Sequence, residues 1–572
     1  MRIWKSEVRN CMPQKLFHGV IVFSLVGINS NCVAQNKDLG EQQYVVVKDY
    51  KPVLAESFKI SNAPDKDTST STPPSLSYPI SSHAANTSLE ISPLRPVKIK
   101  DEALPKLYNA LAKIGLGFYG TTYGEIFVNT TRSKNSSLGF HYKHFSASPE
   151  LKGVGAGGFS DNLASLYGKL FVDRNVFTAD LNYNRSVVHY YGYPKDILGG
   201  IPQDSMKQRF GNFNIGVGLE SNNLSSKGEL DYRANLKYNT LSDLFDVTED
   251  NFRAEGMAGK NYKGTYISVD AFYDYNQYSR SYNQYMQKGY TSSHGLFSFS
   301  PSAILINNGK LYVRVKTQLD IDDYFNSFLH FYPVLTDISY TIGGNIITFH
   351  ASLDGGVKKN TLLTLMQTNP FVHTFDALFL PRYSNEEINF FGGVKGNFNN
   401  KIFFAADARF INTDNLPLCI NSSRSERIPR IKIIYDDVTQ AQVHAEVSYR
   451  ANEKIRLSLS AMHIIYDMLH EEKPWHLPAT NVSLSGSYNL ADKILVNADL
   501  FFRGNTYART EDDLTPVKLD SWVDVNLGAE YRYSKILSVF LKLNNLGFSR
   551  YYIWNEYPSE RFNILAGISY AF

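Results

Sequence analysis

An alternation of period two along most of the chain, only one apolar run of any length, and a high aromatic content together predict an all-β fold. The expected architecture is a transmembrane antiparallel β-barrel of about 22 strands, within a range of roughly 18 to 24, with an extended N-terminal arm. Of 572 residues, 38 are Tyr, 36 Phe and 4 Trp, while charged residues make up 20% and the formal net charge is +3. A disordered chain would lack the aromatics, a nucleic-acid binder would be more basic, and a helical membrane protein would repeat apolar runs of about 20 residues.

The single apolar run is Gly19 to Ile28, preceded by Arg2, Lys5, Arg9 and Lys15 and followed by Cys32-Val33-Ala34 before Gln35. Basic, apolar and small-residue regions in that order read as a secretory signal peptide over residues 1–34, with Met12 as a second, shorter start. Asn31 argues against lipid attachment at Cys32, where such signals want a small residue. Cleavage after Ala34 removes Cys11 and Cys32 and leaves Cys419 alone, so no internal disulfide can form.

Residues 35–106 form the arm. Pro52, Pro64, Pro73, Pro74, Pro79, Pro93, Pro96 and Pro105 and the run Asp67 to Thr72 favour an extended, largely structureless segment, periplasmic or lumen-occupying. Within it, Tyr44-Val45-Val46-Val47 before Lys48 is strongly β-prone. It reads either as a short local strand or as a docking segment for a periplasmic partner.

From residue 107 to Phe572 the texture is that of strands. Leu230, Tyr232, Ala234, Leu236 and Tyr238 alternate with Glu229, Asp231, Arg233, Asn235 and Lys237. The same rhythm sets Leu311, Val313 and Val315 against Arg314 and Lys316, Ala441 to Tyr449 against Gln442 to Arg450, and Val523 to Tyr531 against Asp524 to Arg532. Successive side chains of a strand face opposite ways, so each segment has an apolar and a charged face. A soluble sandwich alternates too. Such segments recur about every 20 residues, with almost no helical periodicity between them to supply a covering layer, and a backbone in lipid must close its hydrogen bonds within a helix or a closed sheet. Tyr190, Tyr191 and Tyr193, and Tyr551, Tyr552 and Trp554, stand at strand ends, where a headgroup-level girdle places aromatics. A carbohydrate platform is the functional alternative for these clusters.

The last strand, from Arg561, puts Phe562, Ile564, Ala566, Ile568, Tyr570 and Phe572 on one face. Gly567, Tyr570 and the terminal Phe572 resemble the signal by which barrel-assembly machinery recognises outer-membrane barrels, with Leu565 where a polar residue is usual. Together with Asn545-Leu546, Tyr551-Tyr552, Tyr557-Pro558 and Arg561-Phe562, this region resembles the end of a TonB-dependent receptor barrel. The resemblance implies a 22-stranded barrel, transport, and a TonB contact at Tyr44 to Val47. Members of that family carry a folded plug domain of well over a hundred residues before the barrel; the Pro-rich arm here implies a plugless relative.

No enzyme, cofactor or metal site is expected. His470-Glu471-Glu472-Lys473-Pro474 begins like a zinc-protease helix, but Pro474 stands where the second histidine belongs. His141 and His144, three apart on a strand, face opposite sides. Asp320, Asp322 and Asp323, and Glu511, Asp512 and Asp513, could hold calcium in a loop, though solvated turns are the plainer reading. Lumen-lining candidates are Glu229, Asp231, Arg233, Arg314, Lys316, Glu446, Arg450, Asp499 and Arg503, with Asp180, Lys237, Asp270, Asp274 and Arg456 beside them. Their mixed signs suit water and polar solutes. The long connection from Gly355 to Asn385 carries the apolar run Leu362 to Met366; either it or the arm is expected to occupy the lumen.

The functional expectation is therefore an integral outer-membrane channel or transporter for polar small-molecule solutes in a Gram-negative bacterium, in contact with outer-membrane lipid and with TonB or a surface lipoprotein as partner. The alternative is a non-transporting scaffold that binds a periplasmic or surface partner through its arm. Nucleic acid is not expected as a partner.

Overall fold

A computed structural model describes residues 107–572 except 199–202, 223–228, 282–288, 324–327, 345, 375–380 and 427. The signal peptide, the arm and Tyr44 to Val47 lie outside the described residues.

The described chain forms one closed antiparallel sheet of 22 strands, each hydrogen-bonded to its neighbours in sequence. The last strand, Asn563–Ala571, returns to pair with the first, Ala110–Gly117, from Leu111↔Ala571 to Gly117↔Leu565, so no edge is left unpaired. The four alternating segments named above lie in the strands Leu230–Ser242, Leu311–Asp322, Ile431–Arg450 and Trp522–Arg532. With strands about 4.8 Å apart and tilted roughly 40°, 22 of them enclose a bore on the order of 45 Å across the backbone.

The two ends differ. At one, the connections are as short as 173–174, 263–264, 399–401 and 491–493, and the first strand begins and the last ends there. Several of these turns hold left-handed residues, among them Lys263 (φ 50) and Gly264 (φ 89), a pair suited to the twist of a tight hairpin. At the other end lie the long connections 190–206, 360–382, 422–430, 469–479, 504–521 and 545–562. Short turns face the periplasm and long loops the exterior in barrels of this type.

Register pairs carry one face continuously round the barrel. Asp180 pairs with Gly216, Gly216 with Lys237, Lys237 with Arg253 and Arg253 with Asp274, and the same face reaches Arg314, Glu446, Asp499, Lys542 and Glu125. That polar face is the inside. The other face is apolar, and near the short turns it bears Tyr340, Tyr449, Tyr488, Tyr531 and Tyr570, all between 39% and 47% exposed. These are the girdle tyrosines, with amphipathic rings at the level where lipid meets water.

Candidate functional site

The inner wall and its covered mouth make up the candidate site. The strand Ile347–Lys359 bulges at Asp354/Gly356, where Gly356 has φ +152 and a Cβ would lie 2.9 Å from the Gln318 amide nitrogen. Beyond the bulge, this strand and its partner Tyr383–Phe398 lean over a wall several strands away. Val357 and Tyr383 pack on Leu296 with Phe272 alongside, and Val357 N donates to Asp320 Oδ2 at 3.0 Å.

The connection 360–382 carries the helix Leu362–Thr368 into the mouth; it begins later and ends earlier than the expected Gly355 to Asn385 connection, because both flanking strands run on past those limits. Leu362, Leu365, Met366 and Val372 pack on the inward Phe210, Leu241, Val247 and Tyr278. The helix N-terminus is met by a buried carboxylate: Leu362 N and Leu363 N donate to the two oxygens of Glu249 at 2.8 and 3.1 Å. Thr361 supplies the cap, accepting from Thr364 N at 3.1 Å. Behind the helix, Asp243 accepts from Thr374 Oγ1 and, at 3.1 Å, from Gln208 Nε2, and burial pushes its carboxyl above the usual range.

Loops from three sides of the barrel meet over the mouth. Phe371 stacks on Tyr557 at 3.9 Å, and Tyr191 meets Tyr557 edge-on at 5.1 Å. Tyr190 donates to Val372 O at 3.2 Å, Tyr191 to Pro558 O at 3.0 Å, and Tyr557 to Pro429 O. A second joint centres on His476, 1% exposed: Nδ1 donates to Cys419 O at 2.9 Å, Nε2 accepts from Asn555 N at 3.1 Å, and burial lowers its pKa to about 4. Arg509 pairs with Glu471 at 3.0 Å, and Glu471 also accepts from Trp475 Nε1 at 2.7 Å.

Two expectations are corrected by these contacts. Tyr190, Tyr191 and Tyr193, with Tyr551 stacked on Trp522 at 4.2 Å and Trp554 against His476, belong to the packed lid and not to the lipid girdle. Long-range packing, which alternation does not report, draws them inward. Asp320 and Asp322 are no turn residues: each is 1% exposed on a strand, Asp320 taking Gln318 Nε2 at 2.9 Å and Asp322 paired with His330 at 2.8 Å. Asp512 joins two loops, accepting from Ser423 Oγ at 2.9 Å and Arg424 N at 3.2 Å, contacts that hold its carboxyl below the usual range. Among the described residues no group of His, Cys, Asp and Glu could hold a metal ion. His141 and His144 do face opposite ways, toward Glu125 at 3.1 Å inside and Asn162 at 2.7 Å on the other face.

The lumen-lining candidates share the inward face by register. Glu229 pairs with Arg174 at the short-turn end, Asp231 bonds Tyr266, Arg233 faces Glu220 at 3.5 Å, and Arg314 reaches Asp337 at 2.8 Å. Lys316 follows Arg314 on that face, Glu446 accepts from Ser448 Oγ at 3.3 Å, and Arg450 pairs in register with Arg456. Asp499 pairs in register with Ser485, and Arg503 caps His476 O in the lid at 3.0 Å. In the last strand, a Cβ on Gly567 would lie 2.1 Å from Ile114 O at the closing seam, while Tyr570 and Phe572 point outward. Leu565 is 5% exposed and fills the seam beside Gly115, which accounts for an apolar residue on an inward position.

The sequence matches no protein-family profile and no curated protein. Solved structures do resemble it. The siderophore receptor PirA from Acinetobacter baumannii superposes with a TM-score of 0.62 at 10% identity, covering 82% of this chain and 81% of that one. A mutant of the ferric enterobactin receptor PfeA from Pseudomonas aeruginosa gives 0.60 at 11% identity, covering 81% and 80%. The copper transporter OprC gives 0.59 at 12%, covering 82% of each. The fold is the barrel of TonB-dependent receptors. At this identity the likeness concerns architecture alone.

Proposed function

We propose that this chain is a plugless, receptor-like outer-membrane barrel that passes polar solutes. The observation that carries the reading is the inner face itself: polar and charged round the full circle, behind an apolar, tyrosine-ringed exterior. Cargoes named for its structural neighbours, siderophores and copper, are themselves polar or charged. In this reading residues 1–34 direct export, 35–106 reach the periplasm or the lumen, Tyr44 to Val47 contact TonB or another partner, and Gly567, Tyr570 and Phe572 are read during barrel assembly.

Reconstituted mature chain is expected to let sugars and amino acids swell liposomes; no swelling by any of them would overturn transport. Deleting residues 36–105 and measuring conductance in a planar bilayer tests whether the arm fills the bore, since unchanged conductance removes it from that role. Val46→Pro should abolish energised uptake, and retained uptake would count against the TonB contact.

The scaffold reading draws on one observation, the meeting of loops across the mouth through Tyr191, Phe371 and Tyr557. It predicts a barrel that stays non-conducting while the arm still captures a partner.

A further inference from the structure

Charges on the inner wall are of two kinds. From Lys207–Ser221 to Phe328–Ile342 they neutralise one another: Lys237 reaches Glu255 at 3.3 Å, Arg253 lies between Glu255 at 3.0 Å and Asp274 at 3.4 Å, and Arg314 holds Asp337. Across the bore, from Ile431–Arg450 to Leu537–Asn544, His444 meets Asp407 at 3.0 Å, but the arginines beside the turn 451–454 have no such acidic partner among the described residues. Arg450 and Arg456 are register partners flanking the turn 451–454, both inward and exposed, and neither forms an ion pair among the described residues. Like charges at directly opposed positions repel each other, so this pair costs stability as it stands.

Both arginines line a concavity of about 660 Å³ in the wall, together with Lys542 and Asp499. Three cations thus face one carboxylate. Much of the remaining lining is hydroxyl and amide, as at Ser485 and Asn497. A guanidinium presents a planar fork matched to carboxylate and phosphate oxygens, and two of them side by side form a site for one oxyanion. Hydroxyls and amides both donate and accept, which suits a body carrying alcohol groups.

We propose that this concavity binds a small hydroxylated anion, a carboxylate- or phosphate-bearing solute such as a sugar acid or sugar phosphate, with Arg450 and Arg456 holding the oxyanion. The site deepens the reading of the lumen as a solute path and takes that reading as its frame. Binding at equilibrium needs no passage, so an anion bound by a chain that fails to swell liposomes would remove transport and leave the site.

The test is calorimetric titration of the full mature chain, folded in detergent, with gluconate, glucose 6-phosphate, glucose and inorganic phosphate. At least one of the two hydroxylated anions should bind roughly tenfold or more tightly than glucose, and which one binds identifies the oxyanion. Arg450→Gln and Arg456→Gln should each weaken it by about tenfold, and Arg456→Lys, which keeps the charge without the fork, by less. Asp499→Asn should tighten binding, because it removes the one like charge facing the ligand. Lys169→Gln, on the opposite wall, should leave it unchanged. Heat-modifiable migration on a gel confirms that each variant is folded. Glucose binding as tightly as the anions, inorganic phosphate matching glucose 6-phosphate, or unchanged affinity in both arginine-to-glutamine variants would each overturn the proposal.

Discussion

The two ends of the barrel are built by different rules. At the short-turn end, connections as brief as two residues reverse the chain, side chains reach no farther than a neighbouring hairpin, as Arg174 does to Glu229, and outward tyrosines mark the lipid boundary. At the mouth, residues far apart in sequence make a buried core: Tyr190 with Val372, Phe371 with Tyr557, His476 with Asn555. The contrast teaches that the wall and the lid are separable structures. The wall is held by a closed ladder of backbone hydrogen bonds, whereas the lid depends on a few aromatic and polar joints.

The most disruptive way to separate them is Tyr557→Ala, which removes a ring packed on both Phe371 and Tyr191. It should cost the lid about 3–5 kcal/mol, seen as faster proteolysis of the loops and higher single-channel conductance, with heat-modifiable migration unchanged. If conductance does not move, the lid does not close the mouth.

Acid should loosen the same end. The pKa of His476 is lowered from 6.5 to about 4 in the folded lid, so the unfolded segment binds the extra proton first. Its contribution is complete above pH 6.5, is lost as pH falls from there toward 4, and is on the order of 3 kcal/mol. Hydrogen exchange of the Asn555 amide should accelerate across that window while barrel strands stay protected; a flat response would exclude His476 as a joint.

Glu249→Ala leaves the Leu362 and Leu363 amides without their acceptor. A local loss of about 1–2 kcal/mol is expected, read by exchange at those amides. At the opposite end, Gly264→Ala places a side chain at φ 89 and should cost about 1–2 kcal/mol in that hairpin alone. Any effect of Gly264→Ala on lid exchange would show that the two ends are coupled.

Much of the wall was legible from residues alone. The segment from Ala441 to Arg450 assigns its own faces, because a strand turns each successive side chain over and only one face can meet lipid. The inward placement of Arg314 and Arg450 follows from the same parity. The lid was not legible. Tyr190 and Tyr193 have the composition and strand-end position of girdle residues, and nothing local distinguishes a ring bound for lipid from one drawn under a loop. Glu249 sits among ordinary inward charges on its strand, and its role at the helix depends on a partner 113 residues away. His476, two residues after Pro474, carries no local sign of its place.

The amino-acid sequence by itself determined that this chain closes into a large lipid-facing barrel with a wet interior, since hydrocarbon on one side and water on the other impose a two-residue rhythm. Tertiary structure alone decided which charges neutralise one another, which arginines are left facing each other, and how the mouth is covered. Those outcomes depend on strand register and on contacts across the bore, and pairwise distances between remote segments are not written in any local pattern.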